Sequence, residues 1–423
     1  MTRFIAAAVA VAAAFTAAAP LTARQDAAPA AAALKDAALR DLMPKGMVIG
    51  VAMNQRQSDG VDTAAVDIIT KQFNQITPEN LLKFQSIHPA ADRYTFEAQD
   101  RYVQFGTDRK MQVIGHTLVW HSQTSTWVFQ GPDGKPADRE LLLSRMRDHI
   151  HTVVGRYKGR IHGWDVVNEA VDEDGSLRKT PWRDAIGDDY IAKAFEFARE
   201  ADPGAELYYN DYSLERPAKR AGVVRLVKDL QARGVRIDGI GNQAHWQLES
   251  PTLAEIEQTL IDLNSTGLKV MYTELDINML PPAGRNADPA LANPYAAGLP
   301  DDKQQQLARR YADIFSLFLK HRDKVTRVTF WGLSDGDSWL NRGRVNYPLL
   351  WDRQRQPKPS FHAVVDTLTP ARCSRHRRRE RSGRLIDICL RVEDLRDGAG
   401  SRAWLHLRPG AGIGLASGGT CLP

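Results

Sequence analysis

The sequence predicts an α/β fold, a (β/α)8 TIM barrel built as a single domain over residues 45–370. Three observations predict it. From Met47 onward, short runs rich in β-branched and aromatic residues alternate with longer segments of helical period, which favours parallel strands joined by crossover helices. Eight such runs can be counted, the number that closes a barrel. Polar and aromatic residues follow seven of the eight runs, and the C-terminal ends of barrel strands are where such a fold carries its chemistry. An open doubly wound sheet is the alternative on pattern alone.

Taken in order, the chain begins MTRFIAAAVAVAAAFTAAAPLTA, with one arginine, a run of small and apolar residues, and then small residues suited to signal peptidase. Residues 1–23 are therefore read as an export signal, cleaved within Ala19–Ala28, of a secreted or periplasmic protein. The alternative is an uncleaved anchor, for which the run is short and alanine-rich. Residues 24–44 are an Ala/Pro-rich leader. The strand runs are Met47–Val51, Phe73–Ile76, Val113–His116, Gly163–Val167, Glu206–Tyr209, Gly239–Asn242, Val270–Thr273 and Val328–Trp331. Helical period marks Arg139–Tyr157, Asp189–Glu200, Ala218–Arg233, Leu253–Leu263 and Asp302–His321. Pro281–Pro300 carries five prolines and no helical period, directly after the seventh run; a connection of this length is expected to border the cleft.

Composition narrows the function classes. The 423 residues are 43% apolar and 25% charged, ordinary globular usage that excludes a disordered, collagen-like or polytopic membrane protein. The net charge of +5 belongs to the tail: residues 371–423 hold eleven arginines and five acids, leaving −1 for residues 1–370. All three cysteines, Cys373, Cys389 and Cys421, also lie there, so the body has no thiol for a disulfide, zinc cluster or nucleophile. The tail reads as disordered or as out-of-frame read-through. It could bind anions or nucleic acid, but has no aromatic interleaving to make that specific, so no nucleic acid partner is expected.

The residues after the runs are Glu79, Asn80 and Lys83; His116 and Trp120; Asn168 and Glu169; Asn210 and Asp211; Gln243, His245 and Trp246; Glu274 and Asp276; and Trp331 and Trp339. Glu169 and Glu274 stand out, each at a strand end after an apolar lead-in. A lone glutamate is more often a surface residue. A pair facing one another across a barrel mouth is what glycoside hydrolysis needs, one carboxyl protonated for the leaving oxygen and one ionised for the sugar carbon. His245 is placed to hydrogen-bond Glu274, with Asp276 orienting the imidazole. Donors favour the ionised form of Glu274, while a neighbouring negative charge and partial burial favour a protonated Glu169. Trp120, Trp246, Trp331 and Trp339 at one rim favour a sugar, whose C–H faces stack on indole. No His-x-His opens the barrel, His149 and His151 face different ways on a helix, and no GxGxxG, P-loop or GxSxG occurs. A site without metal or cofactor is expected.

At this point the sequence resembles the glycoside hydrolase family 10 endo-β-1,4-xylanases. The motifs are TPENLLKF (77–84), GHTLVWHSQTSTWVF (115–129), WDVVNEA (164–170), YYNDYS (208–213), GIGNQAHW (239–246), YTELDIN (272–278), TFWGLSDGDSWL (329–340), and PLLWD with PKPSF (348–352 and 357–361). The resemblance implies a retaining double displacement, with Glu169 as acid/base and Glu274 as nucleophile, their carboxyls about 5–5.5 Å apart. It implies that Asn168 binds the 2-hydroxyl of the sugar being cleaved and that His245 and Asp276 form a relay behind the nucleophile. Glu79, Asn80, Lys83, His116, Trp120, Gln243, Trp331 and Trp339 would line the glycone subsites, with Asn210 and Tyr212 in the cleft on the fifth strand. Trp339 would crowd a hexose's CH2OH and so favour xylose.

Leu82 and Phe84 depart from the methionine and tryptophan common around the motif lysine, an apolar exchange that implies repacking. The expected partners are xylan and xylo-oligosaccharides, with no membrane after signal cleavage and no second copy required. Two other readings stay open: a broader β-1,4-glycanase that also cuts cellulose-type substrates, and a sugar-binding protein without turnover.

Overall fold

In this computed structural model, residues 38–281 and 292–369 are described, together with the backbone of 374–379 and 385–390. The expected export signal, most of the expected leader, residues 282–291 of the proline-rich segment and the rest of the tail lie outside the described residues. The eight strands are β1 Val48–Met53, β2 Gln75–Pro78, β3 Gln112–Trp120, β4 Gly163–Asn168, β5 Glu206–Asp211, β6 Gly239–Asn242, then, after the short extra strand β7 His245–Gln247, β8 Lys269–Asn278 and β9 Val325–Phe330. All eight pair in parallel in the order β6-β5-β4-β3-β2-β1-β9-β8, and β6 pairs with β8 to close the barrel. The open doubly wound sheet is thereby excluded.

Eight main helices return the chain to the start of the next strand or cover the barrel: α1 Thr63–Gln72, α2 Glu97–Asp108, α3 Arg139–Arg156, α4 Tyr190–Ala201, α5 Pro217–Ala232, α6 Leu253–Asn264, α7 Asp301–Lys320 and α8 Pro359–Leu368. Their starts follow from local chemistry. Asp62 and Asp138 accept from backbone N–H groups of α1 and α3, Thr252 and Glu255 form a reciprocal capping box on α6, and α5 and α8 open on proline. Along α3, the buried Leu142, Met146, His149, Ile150, Val153 and Val154 repeat at helical spacing and face the barrel wall.

Two strands run further than their apolar runs. β3 continues to Trp120 past an irregularity between His116 and Val119. β8 continues to Asn278 because β7 pairs alongside it, His245 opposite Asp276. These extensions carry side chains up to the rim.

The large core lies between strands and helices. Ile114, Tyr208 and Met271 form a second cluster; they sit on β3, β5 and β8, none adjacent, so they meet across the barrel interior. Above them the interior is more polar than apolar filling would suggest. Thr329 on β9 donates to Gln75 on β2 (2.7 Å), Gln75 to Thr77 (2.8 Å), and Thr273 on β8 to Asn210 on β5 (2.6 Å). Glycines leave room for these groups: a Cβ at Gly163 would lie 2.4 Å from the Tyr208 ring.

The second unit, residues 370–423, is described only where the backbones of Ser374–Arg379 and Leu385–Leu390 pair antiparallel, within the tail that the sequence reads as disordered or as read-through. LIDICL is rich in the β-branched and apolar residues that favour such pairing.

Two substitutions test the barrel packing by denaturant midpoint. Gly163→Ala forces a methyl into a rigid ring and should lower stability by about 1–3 kcal/mol. Gly155→Ala, exposed in α3 with nothing within 4 Å of its Cβ position, should raise it by about 0.5–1 kcal/mol.

Candidate active site

The ends of β2, β3, β4, β5, β7, β8 and β9 surround a cleft of about 600 Å³. It is lined by Glu79, Asn80, Lys83, His116, Trp120, Asn168, Glu169, Tyr212, Gln243, His245, Glu274, Trp331 and Trp339, all expected from the sequence. Gln123, Ser213 and Arg342 line it as well. The first two stand inside motifs already singled out; Arg342, in an arginine-rich loop, gave no signal.

Glu274 lies near the end of β8 with 4% of its surface exposed. Asn210 Nδ2 donates to its Oε1 (2.8 Å), and His245 Nε2 contacts its Oε2 (3.0 Å). His245 Nδ1 meets Asp276 Oδ1 (3.0 Å), whose other oxygen accepts from Trp339 Nε1 (2.8 Å). Glu274 and Asp276 are two residues apart on one strand, so they share a face. An imidazole between two carboxylates donates to both only when doubly protonated. Burial pushes the His245 pKa down, but Asp276 and then Glu274 more than reverse this and raise it to about 10. For Glu274, burial raises the pKa, yet the His245 hydrogen bond, the charges of His116 and His245, and Asn210 together hold it below the usual range. The imidazolium is a stabilising partner in full below about pH 6.5, and that stabilisation is lost as the pH rises to about 10.

Glu169 follows β4 in a left-handed conformation, φ 59°, unusual for a residue with a Cβ. Its surroundings hold it there. Its N–H donates to Asn210 O (2.9 Å) and its carbonyl accepts from Arg178 Nε (3.0 Å). The next two N–H groups, of Ala170 and Val171, donate to the Tyr209 hydroxyl (3.0 and 3.1 Å), which itself donates to buried Asp211 (2.5 Å). The Glu169 carboxyl then faces the cleft, with Trp120 Nε1 on Oε2 (2.8 Å), and Gln243 Nε2 (3.0 Å) and Asn168 Nδ2 (3.3 Å) on Oε1.

Two expected residues do not face the cleft. Asn210 is fully buried and joins the two carboxyl groups from below, donating both to Asn168 Oδ1 (2.9 Å) and to Glu274. Asp276 is likewise buried behind His245. Trp246, placed at the rim by the sequence, is instead in the core, its ring 5.7 Å from that of Tyr272. Alternation along β7 turns His245 to the cleft and therefore its neighbour away.

The remaining groups suit hydroxyl binding. Lys83 donates to Asn80 (3.0 Å) and Gln123 (2.9 Å); burial lowers its pKa against the fields of Glu274, Glu79 and Glu169. Burial raises that of Glu79, with Lys83 opposing. His116 pairs with Asp165 (2.9 Å) and meets the Trp331 ring at 5.3 Å. Just after β5, Tyr212 has the Lys219 ammonium 3.4 Å from its ring centre, itself paired with Asp211 (3.0 Å). Burial pushes Asp211 up to about 6 against that partner. Among the described residues no group of three or more His, Cys, Asp or Glu is placed to hold a metal ion, and no helix is long and apolar enough to cross a membrane.

A model of glycosyl hydrolase family 10 matches residues 38–367. The chain is 42% identical to endo-1,4-beta-xylanase A of Xylanibacter ruminicola, over 79% of this chain and 95% of that protein. It is 43% identical to an endo-1,4-beta-xylanase of Geobacillus stearothermophilus, over 78% and 98%. A solved endoxylanase of the same family, retrieved from sugarcane soil metagenome, superposes with TM-score 0.76 at 44% identity, over 78% of this chain and 99% of that one.

His245→Ala removes a hydrogen bond and a positive charge from Glu274, so this carboxyl should titrate at higher pH. The acid limb of kcat/KM against pH on an aryl glycoside should move up; an unmoved limb would show that His245 does not set the ionisation of Glu274.

Proposed function

The chain belongs to glycosyl hydrolase family 10, and from that premise we propose that it is a retaining endo-β-1,4-xylanase acting on xylan and xylo-oligosaccharides. The observation that carries the proposal is the asymmetry of the two glutamates. Glu274 is held in its ionised form by the half-buried His245 imidazolium and an amide, whereas Glu169 accepts hydrogen bonds from the neutral Trp120, Gln243 and Asn168 and has His121 Nε2, whose pKa burial lowers, 4.0 Å from its Oε2. Asn168 and Asn210 link the pair through three hydrogen bonds in series, a short bridge suited to carboxyls facing the same bond.

In the first step Glu169 gives its proton to the glycosidic oxygen while a Glu274 oxygen attacks the anomeric carbon. The glycosidic bond breaks and a glycosyl ester forms. Glu169, now ionised, takes a proton from water, whose oxygen displaces Glu274 and restores both groups. Asn168 is held by Asn210 and Gln243 at the height of both carboxyls, where it suits the 2-hydroxyl of the sugar being cleaved. Glu79, Asn80 and Lys83 take the glycone hydroxyls, with Gln123 held against Lys83 beside them. The names of the relatives support xylan as substrate. Export through the N-terminal signal suits a polymer that cannot enter a cell, and the cleft is complete within one chain, so a monomer suffices.

Product sizing on glucuronoxylan, with initial rates compared on soluble cellulose, tests the substrate. Short xylo-oligosaccharides from the wild type and none from Glu274→Gln are expected. Comparable rates on cellulose would favour the broader β-1,4-glycanase, and no release from either would favour a binding protein. Azide tests the roles. Glu274→Ala should be inactive and rescued to an α-glycosyl azide. Glu169→Ala should lose about 10²–10⁴-fold on xylan, far less on activated aryl glycosides, and give the β-azide. Exchanged patterns would reverse the assignment.

A further inference from the structure

The connection after β9 carries four arginines at 342, 344, 353 and 355, and three of them hold the loop together. Arg344 donates to the carbonyls of Pro281 (3.1 Å) and Ala292 (3.0 Å). Arg353 donates to Asn341 Oδ1 (2.8 Å) and the Asn346 carbonyl (3.0 Å). Arg355 pairs with Asp62 and, at 2.9 Å, with Asp337. Arg342 does none of this. It is exposed, it lines the cleft, and among the described residues it has neither an ion pair nor a hydrogen bond. Its guanidinium carbon lies over the Trp339 ring, 4.4 Å from the ring centre. The residue itself is left-handed, φ 42°, a conformation an arginine adopts at a cost.

A neutral sugar chain offers only hydroxyls, which the amides, Lys83 and the indoles already suit. The other cations of the cleft, Lys83 and His245, are engaged with Asn80 and Gln123 and with Glu274 and Asp276, and its three carboxyls, Glu79, Glu169 and Glu274, disfavour an acidic ligand deep in the site. A guanidinium laid on an indole is held in plane with its N–H fork free, the arrangement that binds a carboxylate through two parallel hydrogen bonds. Trp339 bonds Asp276 in the relay behind the nucleophile, so Arg342 stands one indole away from the reacting centre. We propose that Arg342 is a specificity-determining residue that binds the carboxylate of a uronic acid branch carried by a sugar next to the one being cleaved. The proposal rests on the xylanase reading above.

The test compares kcat/KM on uronate-branched xylan with kcat/KM on the same polymer after its carboxyls are reduced to alcohols. The two differ in charge and not in shape. In the wild type the acidic polymer should be the better substrate, and Arg342→Gln should lower the ratio of the two values about tenfold, with the difference shrinking as salt is added. Arg342→Lys, which keeps the charge without the fork, should retain part of the ratio. A ratio that Arg342→Gln leaves unmoved overturns the proposal and reduces Arg342 to a brace for Trp339. A folded wild type that cuts neither polymer nor linear xylohexaose overturns instead the xylanase reading on which it rests.

Discussion

One hydrogen-bonded chain holds the mouth of the barrel in working order. It runs from Glu169 through Asn168 and Asn210 to Glu274, and on through His245 and Asp276 to Trp339. Its members come from β4, β5, β7, β8 and the loop after β9. Each bond joins groups on different strands or loops except the first, so a shift of one strand end by even a fraction of an ångström would be felt at both carboxyls. Buried, fully connected polar chains of this kind fix geometry because a half-satisfied member is costly. The barrel supplies the other half of the constraint, since its parallel strands end at one level.

The chain also explains how two glutamates in one cavity differ. Charge reaches Glu274 from behind, through an imidazolium that is itself held by Asp276, whereas Glu169 is approached by neutral donors. The left-handed turn at Glu169 is the price of aiming its carboxyl inward, and it is sustained by Arg178, Tyr209 and Asp211 rather than by local preference. Lys219 offsets the burial of Asp211 and at the same time backs the Tyr212 ring. Breaking one partner of such a pair leaves an uncompensated buried charge, typically about 3–5 kcal/mol. The Tyr212 side of the cleft and the turn that carries Glu169 therefore share one buried foundation.

Much of this was legible beforehand. Strand runs followed by Asn-Glu, Gln-x-His and Glu-x-Asp place chemistry at strand ends whatever the packing, because a barrel exposes only that rim. Helical period marks Arg139–Tyr157 and Leu253–Leu263, within a residue of the helices Arg139–Arg156 and Leu253–Asn264. The misplacements have a common cause. Trp246 and His245 are neighbours, and sequence proximity to the rim does not say which of two alternating faces each takes. Asn210, which the resemblance places in the cleft, is instead buried beneath it, because Thr273 and Asn168 arrive from two other strands.

What the sequence by itself determined is local or periodic: eight strand–helix units, their order, the caps, and the identity of nearly every side chain in the cleft. Tertiary structure alone decided which of those side chains meet. The reach of β3 and β8 depends on partner strands. The protonation of His245 depends on carboxylates 29 and 31 residues away, and the place of Arg342 over Trp339 on how the loop after β9 folds. Each is set by distances between elements that periodicity does not encode, and distance is what governs hydrogen bonds and charge.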